Sequence, residues 1–191
     1  MDRGGAYAAT PCAPVLLQRS RPGEAYNRAM ALILRSYEPH DFAALYRLDQ
    51  SCFPAGISYA KTTLRYFLTI PSADCVVAVE DGKIVGFIVS EENPPLAHII
   101  TLDVDEKLRR QGVGTALLQK NESNLAARGV RSILLETAIT NKAAVAFWQR
   151  HGYRIEATLK RYYLGRLDAY EMRKILPAPV KTSGTKPGEA N

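Results

Sequence analysis

Apolar and polar positions along the middle of the chain follow two periods, and the switches between them mark out its elements. "LILRSY" (32–37) has the extended pattern of a strand. "EPHDFAALYRLDQSCF" (38–53) turns to helical spacing, with Pro39 near its start and Ala43, Leu45, Tyr46 and Leu48 available for packing. "SYAKTTLRYFLTI" (58–70) predicts a second helix, with Ser58 as its cap. The two apolar runs of "CVVAVEDGKIVGFIVSE" (75–91) join through Asp81-Gly82, a dipeptide that favours a two-residue hairpin turn. After a turn at "ENPP", "LAHIITLDVD" (96–105) predicts a longer strand, and a helix follows from Val113 to Arg128, stopped by Gly129. A strand "RSILLET" (131–137), a helix "NKAAVAFWQRHG" (141–152) and two strands, "YRIEATLKRYY" and "DAYEMRKIL", complete the pattern. The order β α α β β β α β α β β predicts an α/β fold: a single mixed sheet with helices on both faces. No internal repeat is present.

The ends differ from the middle. Residues 1–30 mix Gly, Ala, Pro and Arg without a sustained period, and "PAPVKTSGTKPGEAN" (177–191) is rich in Pro, Gly, Ser, Thr and Lys. Both are expected to be flexible tails around one domain at 31–176, and Met30 is a candidate start of translation. A chain of 191 residues, 47% of them hydrophobic, suits one sizeable core. Its formal charge of +6 is dispersed, which fits an acidic ligand without requiring one. Cys12, Cys52 and Cys75 show no C-x-x-C spacing, so neither a disulfide framework nor a metal site is suggested, and a cytoplasmic location is expected. No apolar run approaches the ~20 residues needed to span a bilayer, and no nucleic-acid-binding motif is recognisable. Oligomeric state is left open.

Candidate chemistry begins at "LRRQGVGTALLQ" (108–119). A strand-to-helix turn with glycines aims backbone N–H groups and a helix dipole at one spot, which suits phosphate. Gly112 and Gly114 clear the approach, and Arg109 or Arg110 can add a charged fork. A tight turn with a solvated arginine pair is the plainer alternative. Neither nucleotide signature fits: G-x-x-x-x-G-K-[ST] is absent, and Leu117 breaks G-x-G-x-x-G.

Arg109-x-x-Gly112-x-Gly114 resembles the [Arg/Gln]-x-x-Gly-x-[Gly/Ala] signature of the GNAT superfamily of N-acetyltransferases, which bind acetyl-CoA. The order and spacing of "ITLDVDEKLRRQGVGTALL", "ILLETAITNKAAVAFWQRHGY" and "KRYYLGRLDAY" resemble RimI-type ribosomal-protein-alanine acetyltransferases and related N-terminal acetyltransferases, over about residues 31–176. The resemblance implies acetyl-CoA as cosubstrate. Its diphosphate would lie on the backbone of Arg110, Gln111, Gly112, Val113, Gly114 and Thr115, and its pantetheine arm beside Leu102, Asp103 and Val104, with Asn141 reaching it. Asn141 equally suits a helix cap.

By the same resemblance Glu136 holds the place of the general base, and His98 is the second candidate: in some relatives a tyrosine stands at its position and helps a histidine at the place of Glu136. On simple alternation His98 shares a strand face with Ile100, Leu102 and Val104. Trp148 stands where the family has a tyrosine general acid, and an indole N–H cannot fill that role. "FPAGISY" (53–59) resembles the segment lining the peptide entrance, so Phe53 and Pro54 are candidate acceptor contacts, together with Tyr162 and Tyr163. These imply a protein N-terminus as acceptor, with a ribosomal protein one candidate. A small amine such as an antibiotic or polyamine, or a non-catalytic acyl-CoA-binding module, remain as alternatives.

Overall fold

A computed structural model describes residues 15–17, 32–53 and 56–177 of the chain. In chain order the elements are β1 (Val15–Leu17), β2 (Leu32–Ser36), a 3-10 turn (Pro39–Asp41), α1 (Phe42–Cys52), α2 (Lys61–Thr69), β3 (Ala73–Glu80), β4 (Lys83–Asn93), β5 (Leu96–Val104), a second 3-10 turn (Glu106–Leu108), α3 (Val113–Ala127), β6 (Ser132–Ala138), α4 (Lys142–Arg150), β7 (Arg154–Tyr163) and β8 (Leu167–Ile175). The expected order is recovered with one addition. β1, a short strand within the segment expected as N-terminal tail, pairs antiparallel with β2. Met30, Pro54 and nearly all of both tails lie outside the described residues.

The strands form one sheet in the order β1-β2-β3-β4-β5-β6-β8-β7, antiparallel throughout except between β5 and β6. Asp81 and Gly82 take φ of 50° and 71°, both left-handed, as the tight turn between β3 and β4 requires. β3 and β4 read as almost unbroken apolar runs because both their faces are covered. Val77, Phe87 and Val89 meet Phe42 and Leu45 of α1 and Leu64 and Leu68 of α2, while Val76, Ala78 and Ile88 meet Leu117, Leu118 and Leu125 of α3. Ser58 does not cap α2: Ala60 holds that position, and the Ser58 hydroxyl donates to Oε1 of Gln50 at 3.3 Å.

A buried polar cluster fixes α3 to the sheet. Asp74 of β3 accepts from Asn121 and Asn124 of α3 and from Arg128 just past its end, and Asn121 takes the Ser90 hydroxyl of β4 at 2.9 Å. Gly86 fixes the same helix at its other end. A Cβ on Gly86 would stand 2.9 Å from the Asp103 carbonyl oxygen, 3.0 Å from Leu117 and 3.2 Å from Val113.

Two irregularities in β5 prepare the site. Opposite β4, Val89 pairs with Thr101 but Ser90 with Ile99, so Ile100 is an extra residue that bulges from the ladder. Beside β6, pairing covers only Leu96↔Ser132, Ala97↔Ile133 and His98↔Leu134. Beyond that point, among the described residues, β5 continues to Val104 against β4 and β6 continues to Ala138 against β8, and the two strands part.

Gly86→Ala is expected to lower stability by about 2 kcal/mol, because the backbone oxygen it meets cannot turn aside. Thermal unfolding checks this, with a drop of about 4–8 °C expected.

Candidate active site

The bulge at Ile100 changes which side chains share a face. Ala97 and Ile99 enter the core under α3, while Ile100 packs with the α1 and α2 cluster. One extra residue reverses the parity of everything after it. Leu102 and Val104 therefore pack on the α3 side, opposite His98, and the expectation from simple alternation is corrected for these two residues.

On the α1 and α2 side, His98 and Glu136 meet. Nε2 of His98 lies 2.7 Å from Oε2 of Glu136, with side-chain exposures of 40% and 16%. The pair sits where β5 and β6 stop pairing. A carboxylate accepts, so Nε2 carries the proton and the neutral ring keeps its lone pair on Nδ1. The hydrogen bond to Glu136 raises the His98 pKa above its ordinary value, burial works against this, and Glu91 and Glu171 add to the rise.

Three tyrosines surround the pair. Tyr163 donates from its hydroxyl to the Glu136 backbone carbonyl at 3.3 Å, and the exposed Tyr162 stands edge-on to it with ring centroids 4.9 Å apart. Tyr59 donates to the carbonyl of Ile100, the bulged residue, at 3.2 Å, and burial pushes its phenol up to about 12. The resemblance implied Phe53 and Pro54 as acceptor contacts; the structure brings Tyr59 of the same segment beside the pair. Phe53 is half-buried at the end of α1. Across this opening Leu164, between β7 and β8, reaches to 3.1 Å from where a Cβ on Gly56 would be, so the two loops touch.

At the far end of β5 the turn into α3 has the expected form. Gly112 takes φ 90°, a left-handed conformation that favours glycine, and caps α3 without any side-chain hydrogen bond. The first-turn N–H groups of Val113, Gly114 and Thr115 have no partner within the helix. Arg109 departs from expectation: its Nε donates to the Val104 carbonyl at 3.1 Å, bracing the turn against β5. Arg110, exposed and with φ 59°, stays available to an anion. Asn141 is the cap of α4, its side chain accepting from the Ala144 N–H at 3.1 Å.

Trp148 is 7% exposed and packs edge-on between Phe147 and Tyr153 in the core. Its ring belongs to the core on the α3 side of the sheet.

Sequence patterns gave no sign of a buried acid pair under α1. Asp49 is 0% and Asp103 1% exposed, and each has one oxygen without a hydrogen-bond partner. Asp49 accepts the Tyr59 N–H at 3.0 Å, and Asp103 accepts the Thr101 hydroxyl at 2.9 Å. Burial, and then Asp49, push Asp103 up to about 8, so at neutral pH it is largely a neutral acid.

The model of the acetyltransferase (GNAT) family matches residues 42–153, more than half of the chain. The chain belongs to the GNAT family. Relatives include an uncharacterized N-acetyltransferase of Methanocaldococcus jannaschii, 32% identical over 149 residues that cover 76% of this chain and 93% of that one. N-alpha-acetyltransferase 30 of Schizosaccharomyces pombe is 30% identical over 117 residues, 59% of this chain and 78% of its own. The ribosomal protein bS18 alanine N-acetyltransferase of Escherichia coli is 29% identical over 150 residues, covering 77% and 97%. A crystal structure of the E. coli ribosomal-protein-S18-alanine N-acetyltransferase matches with a TM-score of 0.70 over 79% of this chain and 97% of that one.

The GNAT cosubstrate fits what is present. An anion would meet uncapped N–H groups at α3, and an extended, amide-bearing arm would meet the edge of β5 that turns away from β4. Val104 has the least to offer there, because its carbonyl already accepts from Arg109 and, at 3.5 Å, from the Cys52 thiol.

Glu136→Gln removes the charge that holds the His98 proton, so the ring is expected to titrate at lower pH than in the wild type. Proton NMR of the ring against pH checks this. For Asp103 the sign is opposite to that of a salt-bridged acid: its folded pKa lies above the unfolded value near ~3.9. Wild-type stability should therefore fall relative to Asp103→Asn as pH rises from about 4 to about 8, and no further above that. Chemical denaturation across that range measures the difference.

Proposed function

We propose that this chain transfers the acetyl group of acetyl-CoA to the α-amino group of a protein N-terminus, with a ribosomal protein as one candidate acceptor. The observation that carries the proposal is the His98–Glu136 pair at the point where β5 and β6 part, joined to the α3 turn by six residues of strand, about 20 Å. Base and anion site thus lie at the two ends of one slot.

In this reading the backbone of Arg110 to Thr115 receives the diphosphate, and the edge of β5 at Leu102 and Asp103 lies along the pantetheine arm. Acetyl-CoA supplies an activated acyl group with a thiolate leaving group. The acceptor enters between the segment from Gly56 to Tyr59 and the hairpin bearing Tyr162 and Tyr163. An α-amino group has an ordinary pKa near ~8 against ~10.4 for lysine, so freeing its lone pair costs about 3 kcal/mol less. An imidazole held by a carboxylate suffices for that step. Of the pair, the more exposed His98, and not Glu136 as the resemblance implied, takes the amine proton at Nδ1, directly or through water, while Glu136 fixes the ring and stabilises the imidazolium formed. That proton is then available to the departing thiolate, whose ordinary pKa near ~8.5 makes it a good leaving group without a tyrosine at position 148. The free thiols of Cys52 and Cys75 support a reducing location such as the cytoplasm.

The test offers acetyl-CoA with three acceptor sets: peptides with free N-termini, lysine peptides with blocked ends, and small amines. Mass spectrometry should place acetyl on free N-termini. Transfer to small amines alone overturns the acceptor assignment, and no transfer at all overturns catalysis. With the peptide acceptor, His98→Phe should lower kcat about 10²-fold or more. Because the unprotonated ring is the active form, kcat/KM of the wild type should fall as pH drops through the raised His98 pKa, and in Glu136→Gln this limb should move to lower pH.

A further inference from the structure

The hydroxyl of Thr115, the third residue of α3, is drawn away from its own helix. Its Oγ1 lies 3.1 Å from Nε2 of His151, the residue closing α4, and Nδ1 of the same ring lies 2.8 Å from the carbonyl of Phe147. A carbonyl only accepts, so Nδ1 carries a proton, and Nε2 is the atom left for Thr115. The ring is held further by Phe147, whose centroid is 4.4 Å away. Phe147 in turn reaches the first turn of α3, where a Cβ on Gly114 would be 3.5 Å from it.

A threonine at this position has a local alternative. From the third residue of a helix a side-chain oxygen reaches back to the N–H of the cap residue, as in one half of a capping box. Here the cap is Gly112, which brings no side chain of its own, and α3 has no side-chain cap. A Thr115 hydroxyl curled back onto that N–H would remove one donor from the set that an anion meets. Tied to His151 on another helix, it does not do so.

We infer that His151 is a positioning residue for the diphosphate of the cosubstrate: by holding the Thr115 hydroxyl against α4, it keeps the N-terminal amides of α3 open to the anion. The inference rests on the acetyl-CoA reading of this turn.

Calorimetric titration with coenzyme A, beside thermal melts, tests it in the full chain. His151→Phe keeps a ring against Phe147 but offers the hydroxyl nothing, and should weaken coenzyme A binding about tenfold, the effect of one competing charge-assisted donor. His151→Gln, which retains an acceptor, should stay within about threefold of the wild type. In a Thr115→Val background no hydroxyl can curl back, so adding His151→Phe should change affinity by less than about twofold. Equal affinity of wild type and His151→Phe overturns the inference, and so does an equal loss in both backgrounds, which marks a packing role. Failure of the wild type to bind coenzyme A overturns the underlying reading as well. Should His151→Phe melt below the assay temperature, His151→Leu carries the same comparison.

Discussion

Backbone N–H and C=O groups inside a sheet must find partners, and the place where β5 and β6 stop supplying them to each other is where this protein becomes more than a scaffold. Among the described residues three pairs join the two strands, after which the ladder of each continues only with its outer neighbour. The slot between them has a strand edge for a wall, open to a partner that is itself extended and carries amides. The core on both faces makes this opening sustainable, because α1 and α2 cover one side of β4 and β5 and α3 covers the other.

Placing the His98–Glu136 pair at the point of divergence gives it two properties at once. His98 and Glu136 are close because their strands still pair there, and His98 remains partly open because the strands are about to separate. The surroundings on that face are acidic, with Glu91 and Glu171 adding to the effect of Glu136 on the ring. A chain of net charge +6 thus keeps a locally negative wall beside its candidate base, which suits an acceptor that arrives as an ammonium group.

The candidate anion turn before α3 is shaped by what its neighbours hold back. Arg109 turns to the Val104 carbonyl and braces the loop instead of reaching outward. Gly86 lets both α3 and the Asp103 carbonyl approach β4 at distances no side chain would permit. The N–H groups are presented because the side chains that could satisfy them are absent or engaged elsewhere.

Most of the fold was legible in the sequence because its signals are local. Apolar periodicity, the Asp81-Gly82 turn and Gly129 after α3 act within a few residues of themselves, and these elements appear where the pattern put them. The candidate turn at Gly112 and the resemblance around it were legible for the same reason. The extra residue at Ile100 was not, because a bulge depends on the register of β5 against β4 and leaves no mark on composition, yet it moved Leu102 and Val104 to the opposite face. Nor could sequence show that Trp148 packs in the core, that Tyr59 reaches the bulge, or that Asp49 and Asp103 are buried. By itself the sequence determined the elements, their order and the chemistry carried by each segment. Only the tertiary structure decided which groups work together: His98 and Glu136 stand 38 positions apart and Thr115 and His151 stand 36, and such contacts arise from strand register and helix packing, which short-range preferences do not encode.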